Sequence, residues 1–237
     1  MRAMKLKVMT YNIASGNNLA KERDLKYAAS VINQVQPDFV TVNEVCNNTA
    51  YAPLHQANEL ARLTGYYPLF GKSIDIAGGE YGNAFLTRCP LMEHEIIQIP
   101  DRKSEERAYY EHRTILRAVV EVQGRRLTVL STHFGLAMVE HEAAVETALE
   151  VLKKEENPVI LMGDLNMSPD KERIQPLLDA LNDTAGGKDE IKTFPSDGPT
   201  QKIDYIMHSG EFKTLAVWSM DTQCSDHRPL MAELEMD

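Results

Sequence analysis

At six points in this sequence a short apolar run ends in residues that can bind cations, move protons or donate to anions. Val8-Met9-Thr10-Tyr11 leads to Asn12, and Phe39-Val40-Thr41-Val42 to Asn43-Glu44. Residues 127–130 lead to Ser131-Thr132-His133, and residues 159–162 to Gly163-Asp164-Leu165-Asn166. Asp204 lies among Ile203, Tyr205 and Ile206, and Ser225-Asp226-His227 comes just before Arg228-Pro229-Leu230. Carboxylates are hard ligands for divalent cations, and imidazoles transfer protons near neutral pH. Taken singly, each position has a structural reading as a turn residue, an Asx-turn or a hydrogen-bonded histidine. Six together ask for more than turn chemistry. Asp204 is the sharpest, because a carboxylate on a buried strand needs a compensating partner, for which a histidine is suited.

Such residues must be held by rigid elements whose ends converge. Strand-like alternation over residues 5–13 is followed by a helical pattern over 19–35, in which Leu25, Ala28, Ala29 and Ile32 share a face. A short buried strand is expected at 38–42, then a helix that starts at Pro53 and stops at Gly65. Strands are expected at 84–87 and 92–99, a loop at 101–113, and a hairpin of 114–122 with 127–131. The clearest helix is 140–154, and 158–162 reads as a buried strand. A helical segment follows around Ile174, Leu177, Leu178 and Leu181, which Pro176 must kink or begin. Strands at 203–207, 214–219 and 229–234 complete an α/β pattern with a mixed sheet.

The chain has 237 residues, 43% of them apolar, enough for one well-buried domain over residues 1–237 and too many for a disordered segment. Three separated cysteines, Cys46, Cys89 and Cys224, exclude a disulfide scaffold and suit a reducing, cytoplasmic setting. No run approaches the ~20 apolar residues of a bilayer span, so no stable membrane insertion is expected. The first residues do not read as a signal peptide, because Thr10, Tyr11 and Asn12 interrupt the apolar stretch. With 25 basic and 35 acidic residues the net charge is −10, which argues against a broad cationic face for nucleic acid. It does not exclude a phosphate substrate, since a bound divalent cation dominates its local field. No protein partner is indicated.

The ordered set Thr10-Tyr11-Asn12-Ile13, Asn43-Glu44, Tyr81-Gly82-Asn83-Ala84-Phe85-Leu86-Thr87-Arg88, Ser131-Thr132-His133-Phe134, Gly163-Asp164-Leu165-Asn166, Lys202-Ile203-Asp204-Tyr205-Ile206 and Ser225-Asp226-His227-Arg228-Pro229 covers nearly the whole chain. It resembles the metal-dependent endonuclease/exonuclease/phosphatase superfamily, which has the fold of DNase I. The resemblance implies a four-layer α/β/β/α sandwich, two mixed β-sheets flanked by helices, with the active site at one edge.

Hydrolysing a phosphate ester requires neutralising phosphoryl oxygens, orienting water and stabilising the leaving oxygen. The resemblance and the chemistry together give Glu44 as the principal carboxylate for Mg²⁺, or Mn²⁺, with Asn12 beside it and Asp226 completing the shell. Asp164 and Asn166 resemble the pair that orients water and donates to phosphate. His227 with Asp204 is a proton-handling unit in which His227 is either a base toward water or an imidazolium beside the phosphate. His133 resembles the histidine that donates to phosphate, Asn83 a residue near that phosphate or His133, and Arg113 a substrate-binding arginine.

The resemblance implies a Mg²⁺-dependent phosphoesterase cleaving a phosphodiester, or a phosphomonoester as a second case. Its substrate would be a phospholipid head group or a small metabolite. A nuclease on DNA or RNA is a second reading, and a non-catalytic binding module that keeps the fold is a third. The inositol-phosphatase motif around Asp204 is missing, and His133 differs from the abasic-site endonuclease pattern. The stretch from Pro100 to His112 is expected to shape substrate choice.

Overall fold

The computed structural model describes residues 3–103, 111–186 and 191–237. Part of the expected 101–113 loop, Tyr109 and Tyr110 included, therefore lies outside the described residues.

Met4, Leu6 and Val8 alternate with the outward Lys5 and Lys7, and from Met9 onward every side chain of strand β1 (Met4–Asn12) is buried. That change suits a central strand covered on both faces. β1 lies between β13 (Leu230–Met236), to which it is antiparallel, and β2 (Phe39–Thr49), to which it is parallel. Helix α1 (Lys26–Val35) makes the crossover that a parallel pair needs. The same unit recurs with β8 (Arg125–His133), α3 (Met138–Leu152) and β9 (Val159–Asp164), the strands again parallel.

Antiparallel strands extend both units. One sheet adds β3 (Ala52–His55), β4 (Tyr67–Ile76), β5 (Gly79–Thr87) and β12 (Phe212–Ser219). The other adds β6 (Leu91–Ile99), β7 (Arg113–Val122), β10 (Asn182–Asp183) and β11 (Asp204–His208). Val8, Phe39 and Phe85 of the first sheet share a core with Leu116, Val129, Ile160 and Ile206 of the second. The outer face of the first packs on α1 and α2 (Gln56–Thr64), and that of the second on α3 and α4 (Gln175–Ala180). This is the α/β/β/α sandwich that the motifs implied.

Several elements differ from the expected ones. The helix expected from residue 19 begins at Lys26, because Asn18 Oδ1 takes the backbone N–H of Glu22 and Asp24 Oδ1 that of Lys26, which favours turns over helix. Pro53 lies in β3 rather than opening a helix, and α2 starts after His55, whose ring accepts the N–H of Asn58. Strand β4 escaped the sequence pattern, since Pro68, Gly71, Lys72 and Asp75 break its alternation. The strand expected at 38–42 continues to Thr49 through a bulge between Val42 and Val45. The β7–β8 hairpin turns on Gln123 and Gly124, both at positive φ, as a two-residue turn matching the strand twist requires. Pro176 falls in the first turn of α4 and begins it without a kink. Among the described residues no helix is long and apolar enough to cross a membrane.

Candidate active site

The bulge in β2 is the first device of the site. Glu44 adopts φ 60°, a left-handed conformation uncommon for glutamate, and the extra residue turns its side chain away from the regular pleat. Asn12, at the end of β1, donates from Nδ2 to Glu44 Oε1 at 3.1 Å and to Asp164 Oδ2 at 3.2 Å. One amide thus lies between two carboxylates that belong to different sheets. Asn12 is itself fixed by the N–H of Ala14 on its Oδ1, 3.1 Å away.

Asp164 ends β9 beside His133, which ends β8, as the parallel register dictates. Close approach of the two strands allows only glycine before Asp164: a Cβ on Gly163 would lie 1.8 Å from the carbonyl oxygen of Thr132. Asp164 Oδ1 accepts the N–H of Asn166 at 2.9 Å, and Asn166 takes φ 49°, so the loop folds back over the carboxylate. The amide of Asn166 donates to the carbonyl of Phe134 at 3.0 Å and lies 3.1 Å from His133 Nε2. Arg113, the first residue of β7, places Nη1 3.1 Å from His133 Nδ1 and Nη2 2.6 Å from Glu111.

Asp204 opens β11 opposite Asp164 and is 1% exposed. Its Oδ2 accepts from His227 Nδ1 at 2.9 Å and from Thr193 Oγ1 at 2.6 Å. The partner that its burial demanded is therefore a histidine, and His227 Nε2 is left 3.7 Å from Asp164 Oδ2. The Phe194 ring leans on His227, with centroids 4.8 Å apart. The loop carrying His227 is tied down by Ser225, whose Oγ donates to the carbonyl of Asn12 at 2.7 Å.

Burial disfavours an imidazolium at His227, but the carboxylates of Asp204, Asp164 and Asp226 outweigh it and push its pKa up to about 10. Burial lowers His133 well below the ordinary value, and the neighbouring Arg113 charge lowers it further. The carboxyls of Glu44 and Asp164 are both raised, first by burial and then against Asp226 and Asp204 respectively, with the bonds from Asn12 acting the other way. Both acids remain raised although the positive charge of His227 acts on each of them. Glu44 and Asp226 offer carboxylate oxygens, which suit a hard divalent cation, while the Asn12 amide turns Nδ2 toward Glu44 and Oδ1 toward the N–H of Ala14. Asp164, Asp204 and His227 also have ligand atoms within 4.8 Å of one another. Asp204 Oδ2 is already occupied there by two donors, so that trio is a hydrogen-bonded unit before it is a metal shell.

Of the residues singled out in the sequence, Asn12, Glu44, Arg113, His133, Asp164, Asn166, Asp204 and His227 are joined by these contacts. Asp226 reaches Ser225 Oγ at 3.3 Å and acts on Glu44 and His227 through space. Asn83 is 2% exposed and accepts from Asn43 at 2.8 Å, so it braces the site from behind and makes no bond to His133. Arg113 bonds to His133 and Glu111. Sequence reasoning gave no role to Asn43, Glu111 or Thr193. Asn43 stood in a recognised motif; Thr193 lies in an aperiodic loop that gives no local signal.

Residues 9–227 match the Endonuclease/Exonuclease/phosphatase family. Among solved structures, the chain resembles an endonuclease/exonuclease/phosphatase from Beutenbergia cavernae DSM 12333, with a TM-score of 0.81 and 25% identity over 98% of this chain and 72% of that one. It also resembles the Bacteroides thetaiotaomicron VPI-5482 mannosyl-6-phosphatase Bt3783, with a TM-score of 0.78 and 18% identity over 97% and 99% of the two chains. For truncated Caenorhabditis elegans TDP2 the TM-score is 0.72 and the identity 18%, over 98% and 97%. The last two likenesses are of fold alone. Against curated proteins the sequence gives no match. The match over most of its length, together with the fold, shows that this chain belongs to the endonuclease/exonuclease/phosphatase family.

Proposed function

We propose that the chain is a phosphoesterase that uses Mg²⁺, or Mn²⁺ in its place, to hydrolyse a phosphodiester of a phospholipid head group or a small metabolite. The observation that carries this reading is the placement of Asp164 Oδ2 between two imidazoles, 3.6 Å from His133 Nε2 and 3.7 Å from His227 Nε2. A carboxylate flanked in this way can orient a water while N–H groups on either side meet an anion.

Glu44, Asp226 and, with its amide turned from the orientation described above, Asn12 would hold the cation, which when bound would neutralise phosphoryl oxygens and stabilise the departing one. Asp164 accepts a hydrogen bond from the attacking water and aligns its lone pair with phosphorus. Asn166 and His133 donate to a phosphoryl oxygen from fixed positions, the arrangement that stabilises developing charge without reorganisation. His227, kept protonated by Asp204, presents Nε2–H to the same group. The structure thereby favours the imidazolium role for His227 over the role of base.

The acidic balance of 35 against 25 charged residues favours a small or lipid phosphodiester over a nucleic acid. The unpaired thiols of Cys46, Cys89 and Cys224 fit a reducing cytoplasm. The test is hydrolysis of bis-p-nitrophenyl phosphate, p-nitrophenyl phosphate, sphingomyelin, phosphoinositides, DNA and RNA with Mg²⁺, Mn²⁺ or EDTA. Metal-dependent cleavage of a diester, lost in Glu44→Ala and His227→Ala, is expected. Cleavage that is preferential for DNA or RNA and steeply inhibited by salt would replace this reading with a nuclease. No cleavage and no metal binding would leave a non-catalytic module.

A further inference from the structure

Glu111, Arg113 and His133 form a line of contacts ending at the position proposed above for the phosphoryl group. Glu111 Oε2 is 2.6 Å from Arg113 Nη2, and Arg113 Nη1 is 3.1 Å from His133 Nδ1. Arg113 is 8% exposed and His133 5%. Both terminal nitrogens of the guanidinium are thus engaged inside the protein, while its buried Nε has no partner among the described residues.

A guanidinium is a donor only and keeps its charge throughout the range in which a protein is folded. His133 Nδ1 must therefore accept. An imidazole that accepts at Nδ1 carries its single proton on Nε2, since a ring with no proton on either nitrogen would be an anion. Protonating Nδ1 as well would set an N–H against the arginine, in keeping with the lowered basicity of this ring. Asn166 supplies a competing donor on the other side. The carbonyl of Phe134 can only accept, so it fixes Nδ2 of Asn166 as the nitrogen facing it. The second hydrogen on Nδ2 then faces His133 Nε2 at a nitrogen–nitrogen distance of 3.1 Å, where it too asks for an acceptor. The neutral ring has one nitrogen lone pair to offer, and the charged guanidinium is the stronger of the two donors that claim it. With Nδ1 so taken, Nε2–H and the Asn166 N–H are left to meet an anionic oxygen that approaches both from the side.

We infer that Arg113, oriented by Glu111, is a positioning residue that locks His133 in its Nε2–H form, so that His133 meets the phosphoryl group as a neutral hydrogen-bond donor and never as an acid or a base. The inference rests on the proposed phosphoesterase reading only for the identity of the anion. The tautomer itself can be measured without any substrate.

The experiment is a long-range ¹H–¹⁵N spectrum of the full chain labelled at histidine, with His133 assigned by its loss in His133→Gln. The wild type is expected to show an unprotonated Nδ1 and a protonated Nε2. Arg113→Met should move both signals toward an average of the two tautomers, Glu111→Gln should move them part of the way, and Arg113→Lys should restore the wild-type pattern by supplying a donor. A merely structural arginine would not move these signals in variants that keep the wild-type melting temperature. If Arg113→Met does not fold, Glu111→Gln and Arg113→Lys carry the spectroscopic test. Kinetics give a second arm. Arg113→Met should lower kcat/KM by about 10²-fold alone and cause no further loss in a His133→Ala background. Unchanged ring signals in Arg113→Met, or losses that multiply in the double variant, would overturn the inference. A wild-type tautomer as expected, with no hydrolysis of any phosphate ester, would instead overturn the phosphoesterase reading and leave the lock intact.

Discussion

Asn43 Oδ1 accepts the backbone N–H of Asp164 at 3.0 Å, across the interface of the two sheets. The same side chain donates to Asn83 Oδ1 at 2.8 Å and to the carbonyl of Thr132 at 2.9 Å. A single buried amide therefore sets the height of the strand ending in Asp164 against the strand that carries Glu44. Sheet-on-sheet packing of apolar side chains does not fix such a register to a few tenths of an ångström; three directed hydrogen bonds can.

Asn43→Ala should destabilise the protein by about 3 kcal/mol, since it leaves several buried groups without partners. It should also lower turnover by more than the loss of folded protein explains. Asn43→Asp keeps the bond to the Asp164 N–H and loses both donations, so it should fall between the two. Urea unfolding alongside steady-state kinetics reads both effects. A variant with wild-type kinetics would mean that the sheets hold Asp164 in place without Asn43.

The Asp204–His227 pair predicts a charge state. His227 titrates at about 10, above its unfolded value, so the stability it contributes is complete below about pH 6.5 and is lost as pH rises through 10. In Asp204→Asn the amide retains a partner for the ring but no charge, and the titration of His227 should drop by several units in histidine NMR spectra. Turnover should fall by about 10²–10⁴ with the fold intact. Unaltered rates in this variant would remove the dyad from the mechanism.

Much of this site could be read from the sequence, and what could not has physical causes. Asp204 announced a partner because three apolar neighbours buried it, and the structure supplies His227. Strand ends carried Asn12, Asp164 and His133 into one place because both central strand pairs are parallel and so end on one edge. Sequence patterning cannot show a bulge, so the strand of Glu44 seemed to stop at Val42 when it turns and continues to Thr49. The partner of Arg113 was equally hidden. Nothing local tells that an arginine at a strand start meets the ring of His133 at the end of the neighbouring strand. Thr193 binds Asp204 from a loop whose path depends on tertiary contacts, such as the bond from Arg228 N to its carbonyl.

Gly163→Ala should cost at least about 3 kcal/mol. The added Cβ would meet the Thr132 carbonyl oxygen at 1.8 Å, at φ 154°, in a parallel pair with no room to separate. Thermal unfolding measures this, and a change below about 1 kcal/mol would show that β8 and β9 can part without penalty.

His141 gives a pH dependence away from the proposed chemistry. It is 4% exposed, donates from Nε2 to the carbonyl of Gly135 at 2.9 Å, and has no partner at Nδ1 among the described residues. Burial lowers its pKa, and the nearby Arg173 adds to the fall. The unfolded chain therefore binds a proton near pH 6.5 that the folded protein refuses, so stability declines as pH drops below that value. His141→Gln keeps a donor for Gly135 and should flatten the decline between pH 6.5 and 5. Parallel urea titrations of the two proteins isolate this contribution, because every other ionisable group is shared; superimposable curves would exclude it.

Glu44 should behave in opposite ways with and without a cation. Its carboxyl is raised by burial and by Asp226, so the metal-free protein holds an anion there at a cost. Glu44→Gln removes that charge and still offers an oxygen to Asn12 Nδ2, so the metal-free variant should melt no lower than the wild type. Mg²⁺ should then separate them. A ligand that binds only the folded state stabilises it by RT ln(1 + [L]/Kd), about 2.7 kcal/mol at a hundredfold excess over Kd. The wild type should gain this and Glu44→Gln almost none, with EDTA reversing the gain. Equal Mg²⁺ stabilisation of both proteins would move the cation away from Glu44, toward the Asp164–Asp204–His227 group.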